Sequence, residues 1–388
     1  MVAATTVGAV NDMTARWARE MVGEQNTVLT AAGVWPLLAL LAGPAAGPAR
    51  TELAEALGVA PEDAVAAGCE LLAALDAVPG VNAAMGLWAR RSLAVRPAWR
   101  NALPAGVYGE FTDDPGADQQ ALDAWARQHT DGLIGEMPVQ VGPGTLCLLA
   151  SALLVRTTWV QEFQAFPGWA YEGPWAGREL TVLSRSVPEV EQVRVHDTPD
   201  GPLTAVRVEG DNGLDVHLLL GGPEAPGGAV LRHGVAALGG GYPTVSGAAL
   251  TDGAGPGLRV TTVPSDDGVP RFHLTTAAFT VDGDHDLLKR PELFGLTTAC
   301  DASRGHFPGI SEVPLAVSDA RQSATATFGP LGFRAAAVTA IPMEVGCVPP
   351  PPHYQAQLIS ARFDRPFGFL AVHRASGLVL AAGWVGLP

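Results

Sequence analysis

The sequence predicts an α+β fold, because helix-like segments fill the first third of the chain and strand-like segments follow them. Apolar residues recur every three or four positions in the early segments, whereas they alternate or run continuously from residue 146 onward. No alternation of strand, helix and parallel strand is visible. We therefore expect N-terminal helices packed on a large mixed central sheet, with smaller sheets beside it. At 388 residues, 47% of them hydrophobic, the chain is interpreted as a single domain, 1–388.

The helices are predicted from capping residues and from apolar spacing. The first begins near Asn11, a capping residue type, and places Met13 and Trp17 on one face. Further helices are predicted from an apolar run, a segment closed by a glycine and an amphipathic segment, over residues 34–41, 49–57 and 119–132.

The strands are predicted from period-two or continuous apolar patterns. The apolar run 146–155 is typical of a strand buried on both faces. Segments 367–373 and 378–385, joined by the turn 374–377, predict a β-hairpin. Alternation also predicts strands over residues 81–88, 93–95, 203–208, 215–220, 258–263 and 271–276.

One segment near the C-terminus has the pattern of a strand but continues into a run of prolines. From Phe333 every second residue up to 345 is apolar or small, and prolines 349–352 follow, which cannot continue a sheet ladder. We expect this segment to have two states, one as an exposed loop and one as an added strand.

Composition excludes several function classes. The formal net charge of −15 argues against nucleic-acid binding and against binding to anionic membranes. The N-terminus lacks a basic leader, and the apolar run 34–46 is too short to span a bilayer. The four cysteines are too few and too scattered for a disulfide framework or a zinc cluster. We therefore expect a soluble, cytoplasmic monomer that needs no cofactor and no metal.

Motifs spread over nearly the whole chain resemble those of the serpin family. They share the family's order and spacing and lie at residues 26–30, 47–53, 124–134, 151–159, 307–312, 316–318, 365–370 and 383–388. The resemblance implies a suicide inhibitor of serine proteases and not an enzyme. Its loop is cleaved as bait and then inserts as a new strand into the central sheet. It also implies that residues 329–357 form the hinge and the reactive-centre loop.

The resemblance assigns roles to particular residues. It implies that the central strands part around Thr30, Gly33, Ser151, Trp159 and Gln322. The residues implied for the hinge of the reactive loop are Gly332, Phe333, Arg334, Ala335, Ala336 and Ala337.

The scissile bond has two candidates. The family's usual loop length, counted from Gly332, favours Gly346–Cys347, whereas residues 340–343 resemble the bait of elastase inhibitors and favour Met343–Glu344. Neither bond has a basic residue, so we expect an elastase-like or subtilisin-like target and not a trypsin-like one.

Departures from the family's pattern keep other functions open. Phe333 and Arg334 replace small or acidic hinge residues, and a large ring at 333 is expected to slow the opening of the sheet. Pro342 removes one ladder donor from the inserting segment. A non-inhibitory serpin that acts as a binding or scaffold protein is therefore the alternative. A scaffold recruited for catalysis, with Cys347 as nucleophile and His353 as base, is a third hypothesis.

Overall fold

The computed structural model describes residues 2–112, 114–132, 134–137, 139–142, 144–170, 173–333 and 353–388. The α-helices within these ranges are α1 (Ala4–Met21), α2 (Ala31–Ala42), α3 (Gly47–Leu57), α4 (Ala64–Asp76), α5 (Pro97–Ala102), α6 (Pro115–His129) and α7 (Gly227–Leu238). Of these, α1, α2, α3 and α6 were predicted from sequence, although α1 begins at Ala4 and not near Asn11, whereas α4, α5 and α7 were not predicted. Gly58, in the left-handed conformation at φ 66°, closes α3 as a C-cap.

The strands dominate the chain after α6, as predicted. They are β1 (Thr27–Leu29), β2 (Val81–Arg90), β3 (Tyr108–Phe111), β4 (Cys147–Val155), β5 (Thr157–Thr158), β6 (Gln164–Trp169), β7 (Glu179–Val187), β8 (Val193–Thr198), β9 (Gly201–Glu209), β10 (Leu214–Leu220), β11 (Thr244–Ser246), β12 (Leu258–Ser265), β13 (Arg271–Ala277), β14 (Phe279–Asp286), β15 (Arg321–Phe328), β16 (Gly332–Phe333), β17 (Tyr354–Phe363), β18 (Phe367–His373) and β19 (Leu378–Val385).

The strands form four sheets. A seven-stranded sheet has the order β1-β19-β18-β10-β9-β8-β11, and a five-stranded sheet has the order β12-β17-β13-β7-β6. The other two are β14-β15-β16-β5 and β3-β2-β4. The predicted hairpin is confirmed, since β18 and β19 pair antiparallel in the middle of the largest sheet.

The expected large central sheet is divided in the described part of the chain. Strand β4 belongs to the three-stranded sheet and continues, after Arg156, into β5 of the four-stranded sheet. No ladder between these described strands joins β4 to β15, whereas β16 lies between β5 and β15. The α+β class is confirmed, but among the described strands the central sheet is interrupted between β4 and β15.

Buried apolar side chains form three clusters. One lies around α1 and α2 and contains Trp17 and Trp35, while a second surrounds the aromatic rings near β16. The third lies under α6, where Leu122 packs with Leu148 and Ala150 of β4.

Two expectations about strands were wrong. Residues 93–95 are not a strand, because Leu93 ends a 3-10 turn and Ala94 has a left-handed backbone at φ 50°. Strand β4 is not buried on both faces, because its residues alternate between buried and half-buried along its whole length.

Candidate functional site

The short strand β16 holds the first two predicted hinge residues inside a sheet. Phe333 lies opposite Phe328 of β15 on one side and opposite Thr157 of β5 on the other, and Gly332 lies opposite Thr158. A Cβ atom at Gly332 would lie 2.2 Å from the carbonyl oxygen of Thr157. Only glycine therefore lets the chain enter between these strands here.

The ring of Phe333 is already buried. Its side chain is 3% exposed, and its ring lies edge-on to Phe369 with the centroids 6.0 Å apart. The sequence predicted that this ring would obstruct opening of the sheet. In this structure the ring is already buried between β15 and β5, so the sheet has already opened as far as this ring requires.

The turn that leads into β16 is held by backbone and side-chain hydrogen bonds from the segment after β5. The Trp159 amide donates to the Leu331 carbonyl at 3.0 Å, and the Phe163 amide donates to Pro330 at 2.9 Å. The indole Nε1 of Trp159 donates to the Gly329 carbonyl at 2.9 Å. Trp159 therefore anchors the base of the hinge and does not line the gap between the strands.

An open cleft of about 890 Å³ lies between β4 and β15, which we call the slot. Its floor is the face of α2 that carries Gly33 and Leu37. The segment after α6 contributes Thr130, Ile134, Met137 and Val139 to its lining. A smaller cavity of about 40 Å³ shares Thr30 and Leu153 with the slot and is lined by Phe333. The slot therefore begins where β16 ends.

Four of the five residues predicted to mark the parting of the strands line the slot: Thr30, Gly33, Ser151 and Gln322. Hydrogen bonds link two of them to the backbone of Gly33. Thr30 Oγ1 accepts from the Gly33 amide at 3.1 Å, and Ser151 Oγ donates to the Gly33 carbonyl at 2.6 Å. The structure thus brings together residues that are far apart in sequence.

Gln322 is the member of this group with an unpaired atom. Its side chain is 7% exposed, and its Oε1 is buried without a hydrogen-bond partner. Its Nε2 makes one long contact, 3.4 Å, to the Ser323 carbonyl. A buried acceptor without a donor is costly and rare in native proteins, so this oxygen marks a place where a donor is missing.

Among the described strands β4 pairs with β2 only, so its other edge has no neighbouring strand there. Its odd-numbered residues, among them Cys147, Leu149 and Leu153, pack on the α1–α2 cluster but stay half-buried. The even-numbered residues are buried, two of them under α6. A strand placed in the slot would lie beside these half-buried side chains and remove apolar surface from water.

Two described cysteines, Cys147 and Cys300, line the slot. Burial raises the pKa of the Cys147 thiol to about 12, so it stays protonated at neutral pH. Cys300 also lines the slot, and its thiol donates to the Thr297 carbonyl at 3.3 Å.

Several predicted residues lie outside the described residues. These are the remaining hinge positions Arg334, Ala335, Ala336 and Ala337, and the scissile candidates Met343, Glu344, Gly346 and Cys347. His353 is described and exposed just before β17.

Sequence reasoning missed Asn212, which braces the strand beside the hinge. Its Nδ2 donates to the carbonyls of Pro79 and Arg156 at 3.0 and 2.8 Å, and its Oδ1 accepts from Thr157 Oγ1 at 2.7 Å. The only signal for it is an Asn before Gly213 between two strand patterns, which predicts a turn and not a brace.

Two further classes of site are absent from the described ranges. No helix there combines the length and the apolar character that crossing a membrane requires. No group of three or more His, Cys, Asp or Glu side chains in that part of the chain is placed to hold a metal ion.

Comparisons with known proteins agree with this geometry. A family model described as Serpin (serine protease inhibitor) matches residues 8–167. Serpin-Z2B of Oryza sativa subsp. japonica is 26% identical over 394 residues, which cover 93% of this chain and 91% of that protein. "Putative non-inhibitory serpin-10" of the same organism is 28% identical over 155 residues, covering 37% of this chain and 38% of that protein. The solved structure "Cleaved Serpin 42Da" superposes with a TM-score of 0.74 at 15% identity and covers 100% of both chains.

Proposed function

Because this chain is a serpin by sequence and by fold, we propose that it inhibits serine proteases by cleavage of its loop and insertion of the cleaved segment into the slot. As a serpin it is not an enzyme. The observation that carries the proposal is the continuity between β16 and the slot, which is open, apolar and bordered by two unjoined strands.

The register of β16 indicates how the segment would fit. Gly332 faces Thr158, and Phe333 faces Phe328, both in antiparallel pairs. A strand continued in this register would place Thr339 between Ser151 and Gln322 on the inner face. Its hydroxyl would then have the unpaired Gln322 Oε1 as an acceptor.

The free energy of insertion would come from two sources. New ladders would form along β4 and β15, and the half-buried inner face of β4 would lose contact with water. Each apolar side chain that becomes fully buried contributes about 1.5–3 kcal/mol as an upper bound. The inward positions of the segment are Ala335, Ala337, Thr339 and Ile341, and the first three of them carry small side chains.

The target we propose is an elastase-like or subtilisin-like serine protease, cleaving at Gly346–Cys347 or at Met343–Glu344. The described cysteines Cys69, Cys147 and Cys300 are free thiols, which supports a cytoplasmic, reducing location.

A first experiment tests inhibition directly. The protein is incubated with pancreatic elastase and with subtilisin, and the products are separated by SDS gel electrophoresis. We expect a complex that resists SDS, together with cleaved protein whose Tm is higher than that of the intact protein. Mass spectrometry of the released C-terminal peptide identifies the bond.

Two adjacent alanines provide a matched control. In the proposed register Ala337 points inward and Ala336 points outward. We expect Ala337→Arg to abolish both the complex and the rise in Tm, and Ala336→Arg to retain them. Cleavage without complex and without a rise in Tm in the unmutated protein would contradict the proposal.

The second candidate function is a non-inhibitory binding or scaffold role. The buried Phe333 favours it, because a hinge fixed by aromatic packing resists further movement. In that case cleavage leaves the Tm unchanged, which separates the two functions in one measurement.

A further inference from the structure

A cluster of reactive side chains lies at α7, away from the slot. His233 of this helix is buried, with its side chain 3% exposed. Its Nε2 lies 2.7 Å from Asp200 Oδ2, and its Nδ1 lies 2.6 Å from the hydroxyl oxygen of Tyr242. A carboxylate, an imidazole and a phenol are therefore joined by consecutive hydrogen bonds. We call Asp200, His233 and Tyr242 the triad.

The fold brings the triad together from three segments. Asp200 lies in the turn between β8 and β9, and His233 lies on α7. Three glycines follow α7, and the amides of the last two donate back to the helix at 3.0 and 3.1 Å. The chain therefore reverses directly after the helix. This reversal returns Tyr242 to the side of His233, nine positions earlier in the sequence.

The segment that carries Tyr242 is fixed on its other side as well. The Asp197 amide donates to the Pro243 carbonyl at 2.9 Å, and Thr244 Oγ1 donates to the Tyr242 carbonyl at 3.1 Å. Thr244 then pairs with His196 in the ladder between β11 and β8. The phenol is therefore positioned by the backbone on both sides, as a preorganised site requires.

The charges around His233 determine which of its nitrogens carries the proton. The hydrogen bond from His233 is the main cause that lowers the pKa of Asp200, so this carboxylate is ionised at neutral pH and only accepts. The Nε2 of neutral His233 therefore carries the hydrogen, and Nδ1 is the acceptor for the Tyr242 hydroxyl. Arg232 Nη2 also donates to Asp200 Oδ2, at 3.3 Å. Its 3.0 Å approach to His233 Nε2 joins two donors that share this oxygen.

The triad lies at the surface of the protein. The side chain of Asp200 is 50% exposed and that of Arg232 is 38% exposed, while Tyr242 is half-buried. A hydroxyl bonded to an imidazole, which is bonded in turn to a carboxylate, is the arrangement that activates serine in hydrolases. Here a phenol takes the place of the serine hydroxyl, and the two imidazole nitrogens exchange roles.

We propose that Tyr242 is a covalent modification site for activated esters, with His233 as its general base and Asp200 as a positioning residue. The phenol oxygen bonds to the ester carbonyl carbon while its proton passes to His233 Nδ1. The bond from that carbon to the leaving oxygen then breaks, which gives an O-acyl tyrosine and an aryloxide. His233 finally releases its proton to water.

This modification is stoichiometric, so it agrees with a protein that is not an enzyme. It goes beyond the proposed function and does not depend on it, because none of the three side chains lines the slot.

The test uses p-nitrophenyl acetate on the intact, folded protein at about pH 7.5, with peptide mass spectrometry to locate the acetyl groups. Lys289 is the only lysine of the chain, so competing acetylation of amines is small. Tyr354 is the internal reference, since it is 57% exposed and has no side-chain hydrogen bond to a residue that the structure describes. We expect Tyr242 to be acetylated at least about tenfold faster than Tyr354. Tyr242→Phe should remove one equivalent of released p-nitrophenolate.

Substitution of the carboxylate tests the triad without changing its buried member. Asp200→Asn removes the charge that fixes the tautomer of His233, and we expect it to slow acetylation of Tyr242 at least about tenfold. Asp301→Asn is the matched control, because Asp301 is 43% exposed and pairs with Arg304 outside the triad. Acetylation of Tyr354 should stay unchanged in both variants.

His233→Gln removes the base and should slow the reaction at Tyr242 as well. If this variant does not fold, the comparison of Asp200→Asn with Asp301→Asn decides alone. A purely structural triad predicts a lower Tm for Asp200→Asn but equal acetylation rates below the Tm. Equal rates in the two asparagine variants, or acetylation of Tyr354 as fast as that of Tyr242 in the unmutated protein, overturn the proposal.

Discussion

Gln322 places an acceptor in the wall of the slot that no described donor satisfies. Replacing it with methionine, of similar length, removes the unpaired oxygen and keeps the volume. We expect Gln322→Met to stabilise the intact protein by about 1–3 kcal/mol. The check is a shift in the urea midpoint at an unchanged m value.

Gln192 is the matched control for this change. It is buried to a similar degree, at 6% exposure, but its Oε1 accepts from Arg185 Nη2 at 2.9 Å. We expect Gln192→Met to destabilise the protein, because a buried guanidinium loses its partner. A destabilised Gln322→Met variant would show that the oxygen is satisfied in solution.

Gly332 is the residue whose side-chain space is most restricted at the hinge. A Cβ there would approach the Thr157 carbonyl to 2.2 Å, so Gly332→Ala must push β16 away from β5. We expect a loss of about 1–3 kcal/mol and faster hydrogen exchange at Phe333. At Gly329 a Cβ would approach the Gly332 carbonyl no closer than 3.8 Å, so Gly329→Ala should change stability by less than about 0.5 kcal/mol. Equal effects of the two substitutions would contradict this account.

At the scale of elements, the turn before β16 depends on one tryptophan. Trp159→Phe keeps an aromatic ring but removes the donor to the Gly329 carbonyl. We expect a loss of about 1 kcal/mol, with faster exchange confined to the turn and β16. The exposed Trp169 serves as the control, since Trp169→Phe should leave exchange at the hinge unchanged. Uniformly faster exchange across the protein would argue against a local anchor.

Periodicity predicted most elements but not how their neighbours are arranged. β4 was expected to be buried on both faces because its run is apolar, yet its inner residues are half-buried beside the slot. A hydrophobic run shows that a strand face can be buried, but it does not show whether another strand lies beside it. Among the described strands none pairs with this edge of β4. The pairing of β17 between β12 and β13 was also unpredicted, because it joins segments nearly a hundred residues apart in sequence.

The candidate site was predictable only through family resemblance. Gly33, Ser151 and Gln322 have unremarkable neighbours in sequence, and no local pattern connects them. The structure shows their shared position on the slot. Asn212 could not be found in this way, because a turn pattern does not reveal which distant carbonyls its amide will bind.

At the scale of the whole molecule, histidine burial predicts how stability depends on pH. Burial is the main cause that lowers the pKa of each of five histidines, His196, His217 (to about 4), His273, His285 and His373. In the unfolded chain these side chains have a pKa of about 6.5. Between the folded and unfolded values the unfolded state binds more protons, so stability rises with pH in that window.

We therefore expect the free energy of unfolding to be at its full value above about pH 6.5 and to fall as the pH decreases toward 4. Urea unfolding at pH 7.5, 6.5 and 5.5 provides the measurement. His285 contributes through its burial, which lowers its pKa despite the opposing effect of its bond to the Val28 carbonyl at 3.1 Å, and His285→Phe should flatten the dependence. Constant stability between pH 7.5 and 5.5 would mean that these histidines take up protons in the folded state as readily as in the unfolded chain.

The position of β19 has a consequence for biosynthesis. It separates β1 from β18, so residues 27–29 have no sheet partner until residues 378–385 are available. A nascent chain on the ribosome can build its helices early, but it cannot close its largest sheet before these last strands emerge. Until then the edge of β1 that pairs with β19 stays open, and a chaperone that shields this edge would have the longest opportunity to act there.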